Sequence, residues 1–151
     1  MSIGAPAKRI RRAARIIVID QHDRLLMFRF DVEGRDPFWV TAGGECDPDE
    51  SFIDAARREL FEETGIDADP GEQIARICPE FVTVEGEPVK ADERYFRVHV
   101  RETRIDTSNH TELEQRVMQE HRWFTQEELR AWPEAIFPEN IAELMKEDQV
   151  Q

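Results

Sequence analysis

The chain has 151 residues, with 20 Lys+Arg against 33 Asp+Glu, a formal net charge of -13 and a pI near 4.7. That length suits one domain with one core, and the hydrophobic share of 40% is well above that of a disordered chain. So acidic a chain repels nucleic-acid backbones, which excludes a generic DNA or RNA coat, and no stretch approaches the roughly 20 apolar residues that span a bilayer.

Residues 1–13 read as a flexible basic arm carrying Lys8, Arg9, Arg11 and Arg12, and residues 14–151 as a single domain. No apolar run ending in small residues follows the basic start, so it does not read as a signal peptide. Cys46 and Cys78 have neither zinc spacing nor a disulfide framework around them. The expected compartment is therefore cytoplasmic. Residues 14–20 (ARIIVID) are β-branched and short, as in a buried strand. His22-Asp23 supplies a turn, and residues 25–30 read as the returning strand of a hairpin. After a charged loop, residues 38–40 form a short aromatic strand that ends at Gly43-Gly44.

Ser51 is an N-cap for the next element, with Asp54 in the capping-box position. The helix runs to about Thr64 and stops at Gly65, and Phe52, Ala55, Ala56 and Leu60 give its buried stripe. Residues 74–84 and 95–100 are strand-like, with Gly86 and Pro88 marking the turn between them. Residues 103–111 read as loop. Residues 120–124 lead into a helix capped by Thr125 with Glu128 three residues on, and Pro138 opens a last amphipathic helix to residue 147. Strands with a long helix after the third give a mixed α/β sandwich.

The informative segment is residues 44–66, GECDPDESFIDAARRELFEETGI. Glu59, Glu62 and Glu63 fall at i, i+3 and i+4, on one face of one helical turn. Three carboxylates so close raise each other's pKa unless a cation sits among them. They also lie in the last turns, where negative charge opposes the helix dipole. Oxygen-only ligands suit Mg2+ or Mn2+ rather than zinc or copper. Arg57 and Arg58 offer the alternative of a salt-bridged acidic surface.

Gly44, Glu50, Arg58, Glu59, Leu60, Glu62, Glu63, Gly65 and Ile66 match G-x5-E-x7-R-E-U-x-E-E-x-G-U, where U is a bulky apolar residue. By average residue usage such a match at one given start arises roughly once in a billion. The segment resembles the Nudix box of the Nudix (MutT-like) hydrolase family. The rest of the chain fits more loosely, through the hairpin before the box, the strand after it and an Arg122-Trp123-Phe124 segment before a T-x-x-E-L helix. The resemblance implies a Nudix fold, an α/β/α sandwich with a mixed β-sheet. It also implies Mg2+-dependent hydrolysis of a nucleoside diphosphate linked to another moiety.

Under that resemblance Glu59, Glu62 and Glu63 are the metal ligands, and Glu50 and Arg58 orient them. The base that takes the proton from water is Glu59, Glu62 or a glutamate of a later loop. There Glu112, Glu114 and Glu120 are the candidates, with Glu120 ranked first. Gly43 and Gly44 let the backbone approach a ligand or the helix closely. Arg29, Lys90, Arg94 and Arg97 are candidate phosphate contacts, with Arg29 and Arg97 favoured. Phe38, Trp39, Tyr95 and Phe96 can stack on a base, although core packing is the default for aromatics on strands.

Two positions depart from the common pattern: Ala42 stands where proline is frequent, and Asp49 where glycine is frequent. A Nudix-fold module that binds a nucleotide without hydrolysis is the alternative function. An isomerase on the same fold would need a nucleophile, and a Cys46 thiolate beside Asp47 and Asp49 is disfavoured. Residues 81–84 (FVTV) carry neither the proline nor the tyrosine that marks particular substrate subclasses, so nucleoside triphosphates, nucleotide sugars and capped RNA ends stay open. The expected partner is a small nucleotide-type molecule, and the resemblance admits a homodimer. The apolar stripe of Ile141, Leu144 and Met145 reads as packing on its own domain.

Overall fold

The strand expected at residues 14–20 begins earlier. In the computed structural model, which describes residues 7–146, β1 spans Arg9–Ile19. The segment read as an arm therefore supplies the first residues of a strand, and its residues 1–6 lie outside those described. The reason is pairing: β1 runs parallel to β6 (Pro88–His99) from Arg9↔Val89 to Ile19↔His99. Basic side chains at its outer end find carboxylates, as in the ion pairs Lys8–Glu80, Arg9–Glu45 and Arg9–Glu87.

β2 (Leu25–Phe30) returns as the expected hairpin, and β3 (Phe38–Glu45) runs on through both glycines. α1 (Phe52–Thr64) has the expected cap: the Ser51 hydroxyl accepts from Asp54 N at 3.2 Å. Gly65 ends it in the left-handed region at φ 77°, which glycine adopts without strain. Residues 74–84 are not one strand. β4 (Ala75–Ile77) and β5 (Glu80–Val82) pair separately with β6, broken at Cys78-Pro79, where Pro79 has no N–H for a ladder. β6 is twice the expected element. Its first half alternates small or charged buried residues (Val89, Ala91, Glu93) with outward ones, so it lacks an apolar run.

α2 (Glu112–Val117) occupies a segment read as loop, and β7 (Glu120–Phe124) and α3 (Gln126–Ala131) follow. β8 (Ala135–Phe137) pairs parallel with β3. Pro138 thus follows a strand instead of opening a helix, in keeping with the extended bias of a residue before proline. The last helix, α4, is the short turn Ile141–Leu144, and residue 147, the expected end of that helix, lies outside the described residues.

The strands form one mixed sheet in the order β4-β6-β1-β2-β3-β8, with β5 on β6, β7 on β2, and β1 also paired to β3. β1 meets β2 at Ile19↔Leu25, while its outer half pairs with β3 from Ala13↔Glu45 to Ile16↔Ala42. The sheet therefore curls. On one face Ile16, Val18, Leu26, Phe28 and Phe96 pack on Ala55, Ala56 and Leu60 of α1. On the other Ile17, Leu25, Met27, Trp39 and Tyr95 pack on Leu129, Ile141 and Met145. The C-terminal apolar stripe is thus buried within its own domain. No helix of the described residues is long and apolar enough to cross a membrane.

Candidate active site

α1 lies over the ends of β1 and β3, with its acidic turn against the two glycines. Gly43 N donates to Glu63 Oε2 at 2.8 Å, and Glu63 is 3% exposed. A Cβ placed on Gly44 would lie 2.8 Å from the carboxyl carbon and both oxygens of Glu59. A Cβ on Gly43, at φ 134°, would lie 2.1 Å from the Ala14 carbonyl oxygen. The glycines therefore do different work: Gly43 lets strand and helix meet, and Gly44 leaves room for a carboxylate.

Arg58 organises the rest. It donates to Glu50 through Nε and Nη2, each at 2.9 Å, to Glu59 at 3.0 Å, to Glu62 at 3.1 Å and to the Glu45 carbonyl at 3.2 Å. It thus holds Glu50 and Glu62 together. The paired hydrogen bonds from Arg58 hold the Glu50 carboxyl below its ordinary range. Burial pushes Glu59 up to about 7, with the Arg58 charge opposing and the Glu62 charge adding to the rise. Burial, then the Glu59 charge, raises Glu63 well above the usual carboxylate range despite its hydrogen bond from Gly43. Burial also raises the Cys46 thiol, which keeps it a poor nucleophile.

Among the described residues no group of three His, Cys, Asp or Glu side chains already surrounds one point as a metal ion requires. Glu62, 43% exposed, is turned to Arg58. The donor set nevertheless fits a hard divalent cation. Glu63 is buried and Glu59 largely so, burial raises both carboxyls, the donors are oxygen only, and the Glu59 carboxylate fills the space that Gly44 leaves.

The model of the NUDIX domain matches residues 9–145. The chain belongs to the Nudix family. It is a Nudix pyrophosphohydrolase, and members generally hydrolyse the pyrophosphate of nucleoside diphosphate derivatives with divalent metal ions. The solved MutT protein from Methanosarcina mazei Go1 is similar at 20% identity and TM-score 0.70, over 93% of this chain and 94% of that one. The mutator MutT protein from Bacillus halodurans is similar at 23% identity and TM-score 0.65, over 93% and 85%. A C. elegans Ap4A hydrolase shares 17% identity over 78% and 82%, at TM-score 0.55. These likenesses concern the fold. No curated protein matches the chain.

The arginines expected to meet phosphate in this Nudix enzyme are otherwise engaged. Arg29 donates to Glu134 at 2.8 Å and lies 3.8 Å from Asp31 and 3.7 Å from Glu120. That bond, with one from Trp39 Nε1 at 2.8 Å, holds the Glu134 carboxyl down to about 2. Arg97 is on the face away from α1, where it donates to the carbonyls of Leu144 and Lys146 and ties down α4. Arg94 pairs with Asp92 at 3.1 Å, and its guanidinium and that of Arg12 lie 4.1 Å and 4.5 Å from the Phe52 ring centroid. Lys90 is exposed on the outer half of β6. Trp39, Tyr95 and Phe96 are core, and Phe38 stacks on Phe30 at 5.4 Å.

Glu120, ranked first among the loop glutamates, sits at Arg29 on β7. The glutamate whose charge acts on both Glu59 and Glu63 is Glu114 of α2. Glu112 is exposed. Glu114 lies on α2, not in the expected loop. The signal was available: Thr111-x-x-Glu114 is a capping box like Thr125-x-x-Glu128, and both are formed. The loop before it also holds the end of α1, with Asp106 N donating to Thr64 O at 3.0 Å and His110 Nε2 2.8 Å from Glu63 O.

Proposed function

We propose that this enzyme is a cytoplasmic, Mg2+-dependent hydrolase, with Mn2+ as the substitute cation. It cleaves the pyrophosphate bond of a nucleoside diphosphate linked to another moiety, such as a nucleoside triphosphate or nucleotide sugar, by attack of water on phosphorus. The observation that carries this reading is the space that Gly44 leaves for Glu59 beside the buried Glu63. Free cysteines fit a reducing compartment.

Glu59, Glu62 and Glu63 would hold the metal. When bound, a divalent cation neutralises charge on the phosphates and lowers the pKa of water. Arg58 positions Glu59 and Glu62, and Glu50 holds Arg58 in its bidentate geometry. Gly43 fixes Glu63 through its N–H. Glu114 is the glutamate proposed to take the water's proton: Glu120 is held at Arg29, whereas Glu114 stands on α2 directly after the loop whose Asp106 and His110 pack on the end of α1.

The test is a panel of nucleoside triphosphates, nucleotide sugars and other diphosphate-linked nucleosides, incubated with Mg2+ and ranked by kcat/KM. Turnover of at least one member, lost in Glu62→Gln, is expected. No turnover anywhere, with Glu62→Gln indistinguishable from the unaltered chain, overturns the reading.

A further inference from the structure

The sheet face opposite α1 carries charged residues that the box does not explain. Side chains alternate along a strand, so Arg11, Ala13 and Arg15 share the face of Ile17 and Ile19. Pairing sets Ala13 between Glu45 of β3 and Glu93 of β6, and Arg15 between Gly43 and Tyr95. Two arginines thus flank a small, fully buried alanine.

Their guanidinium groups are poorly satisfied. Arg15, with 13% of its side chain exposed, lies 3.5 Å from Glu93 Oε2 and donates to the Thr41 carbonyl at a long 3.4 Å. Arg11 Nε is 3.5 Å from Glu45 Oε1, and Arg11 Nη1 is buried without a partner, as is Thr41 Oγ1. Ordinary N–H···O bonds lie near 2.9–3.0 Å, a guanidinium carries five donors, and an unsatisfied buried donor costs about 1–3 kcal/mol. An arrangement this costly to the fold points to a ligand that completes it.

Its position says which. Arg15 lies across the ladder from Gly43, whose N–H holds Glu63. The Glu63 and Glu59 charges act on the Arg15 guanidinium. Arg15 therefore lies within electrostatic reach of the carboxylate centre, from the sheet face that α1 does not cover, and Arg11 lies further out along the same strand. A diphosphate bound at the carboxylates carries oxygens that take no part in bond cleavage, and a guanidinium fork matches them bidentately.

We propose that Arg15, with Arg11 beyond it, forms the subsite that binds the non-reacting phosphoryl oxygens of the substrate's diphosphate. This rests on the reading of the glutamate cluster as the reaction centre. Arg29, Arg94 and Arg97 do not fill the role, because carboxylates, an aromatic ring or chain carbonyls already hold them. The opposing possibility is that Arg15 only forms a sheet-face ion pair with Glu93. The two differ in sign at Glu93: in the proposed subsite its carboxylate competes with the phosphate, whereas in a structural pair it is Arg15's equal.

The experiment is calorimetric titration of the full chain with imidodiphosphate, an uncleaved diphosphate, in Mg2+ buffer. The variants are Arg15→Gln, Arg15→Lys and Glu93→Gln, with Arg76→Gln, an exposed β4 residue paired with Asp92, as a surface control. Arg15→Gln weakens binding about tenfold or more, as loss of charge-assisted hydrogen bonds does. Arg15→Lys recovers part of it, Glu93→Gln binds as tightly or more tightly, and the control is unchanged. Unaltered affinity in Arg15→Gln, equal weakening in Glu93→Gln, or no binding by the unaltered chain overturns the proposal. Should Arg15→Gln fail to fold, full affinity in Arg15→Lys serves the same purpose. A chain that binds imidodiphosphate through Arg15 yet hydrolyses nothing on the panel refutes the hydrolytic reading alone. Hydrolysis with KM unmoved by Arg15→Gln refutes the subsite alone.

Discussion

Gly44 and the Glu59 carboxylate occupy adjoining space so closely that a single methyl group on Gly44 would lie 2.8 Å from all three carboxyl atoms. The obstructed group is the far end of a flexible side chain, and Gly44 has no left-handed φ. Gly44→Ala should therefore fold with nearly unchanged Tm while turning Glu59 away. Activity should fall by about 10–100-fold, the usual effect of a small misplacement at a reaction centre. Gly43→Ala differs, since its new methyl meets fixed backbone at 2.1 Å with φ at 134°. Its cost should exceed about 3 kcal/mol in urea unfolding. Equal losses of stability in the two variants would contradict this division of roles.

Glu59 also gives the metal-free protein a pH dependence. Its carboxyl titrates at about 7, raised chiefly by burial from an ordinary value of 4.5. Between those values the folded state binds more protons than the unfolded one, so stability falls as pH rises. The contribution is fully present below 4.5 and lost by the time the pH has passed about 7. In EDTA, Tm should drop across this window more for the unaltered chain than for Glu59→Gln. Mg2+ should flatten the difference, because a bound cation favours the carboxylate. Thermal unfolding at several pH values, with and without Mg2+, decides it.

Arg58 reaches Glu50, Glu59, Glu62 and the Glu45 carbonyl at once. A lysine ammonium is a point charge without the planar fork, so Arg58→Lys should behave as a loss. A decrease of about 1–2 kcal/mol in stability is expected, since the site is only partly buried. A weaker response to Mg2+ titration should accompany it. Near-normal stability and metal dependence in Arg58→Lys would show that charge alone suffices.

Glu114 and Glu120 separate cleanly by substitution. Glutamine also serves a capping box, so Glu114→Gln keeps the α2 cap while removing the charge. The kcat should fall by about 10²–10⁴-fold. Glu120→Gln should leave kcat within about twofold, as expected for an exposed surface pair with Arg29. The reverse ranking would restore Glu120 as the base.

The box helix was legible because its information is local. The Ser51 cap, the Ala55, Ala56 and Leu60 stripe and the Gly65 stop all lie within one segment. The β1–β2 hairpin was legible for the same reason. What escaped was information held by distant partners. Arg9 to Arg12 read as a tail because their strand partner, β6, lies some 80 residues on. α2 buries no residue and so has no apolar stripe to betray it. Arg29 looked free because Glu134, which holds it, comes 105 residues later. Arg15 was absorbed into an apolar run, since a lone arginine in a buried strand carries no motif.

The parallel register of β1 and β6, from Arg9↔Val89 to Ile19↔His99, has a consequence for the order of assembly. The whole box, residues 44–66, leaves the ribosome before residue 88, where the strand that must flank β1 begins. Until that strand arrives, β1 has an open edge and Arg15 lacks Glu93. Closing so distant a pair is slow relative to helix formation. The motif is thus made early and the platform beneath it late, and no fragment that stops short of β6 can carry a finished reaction centre.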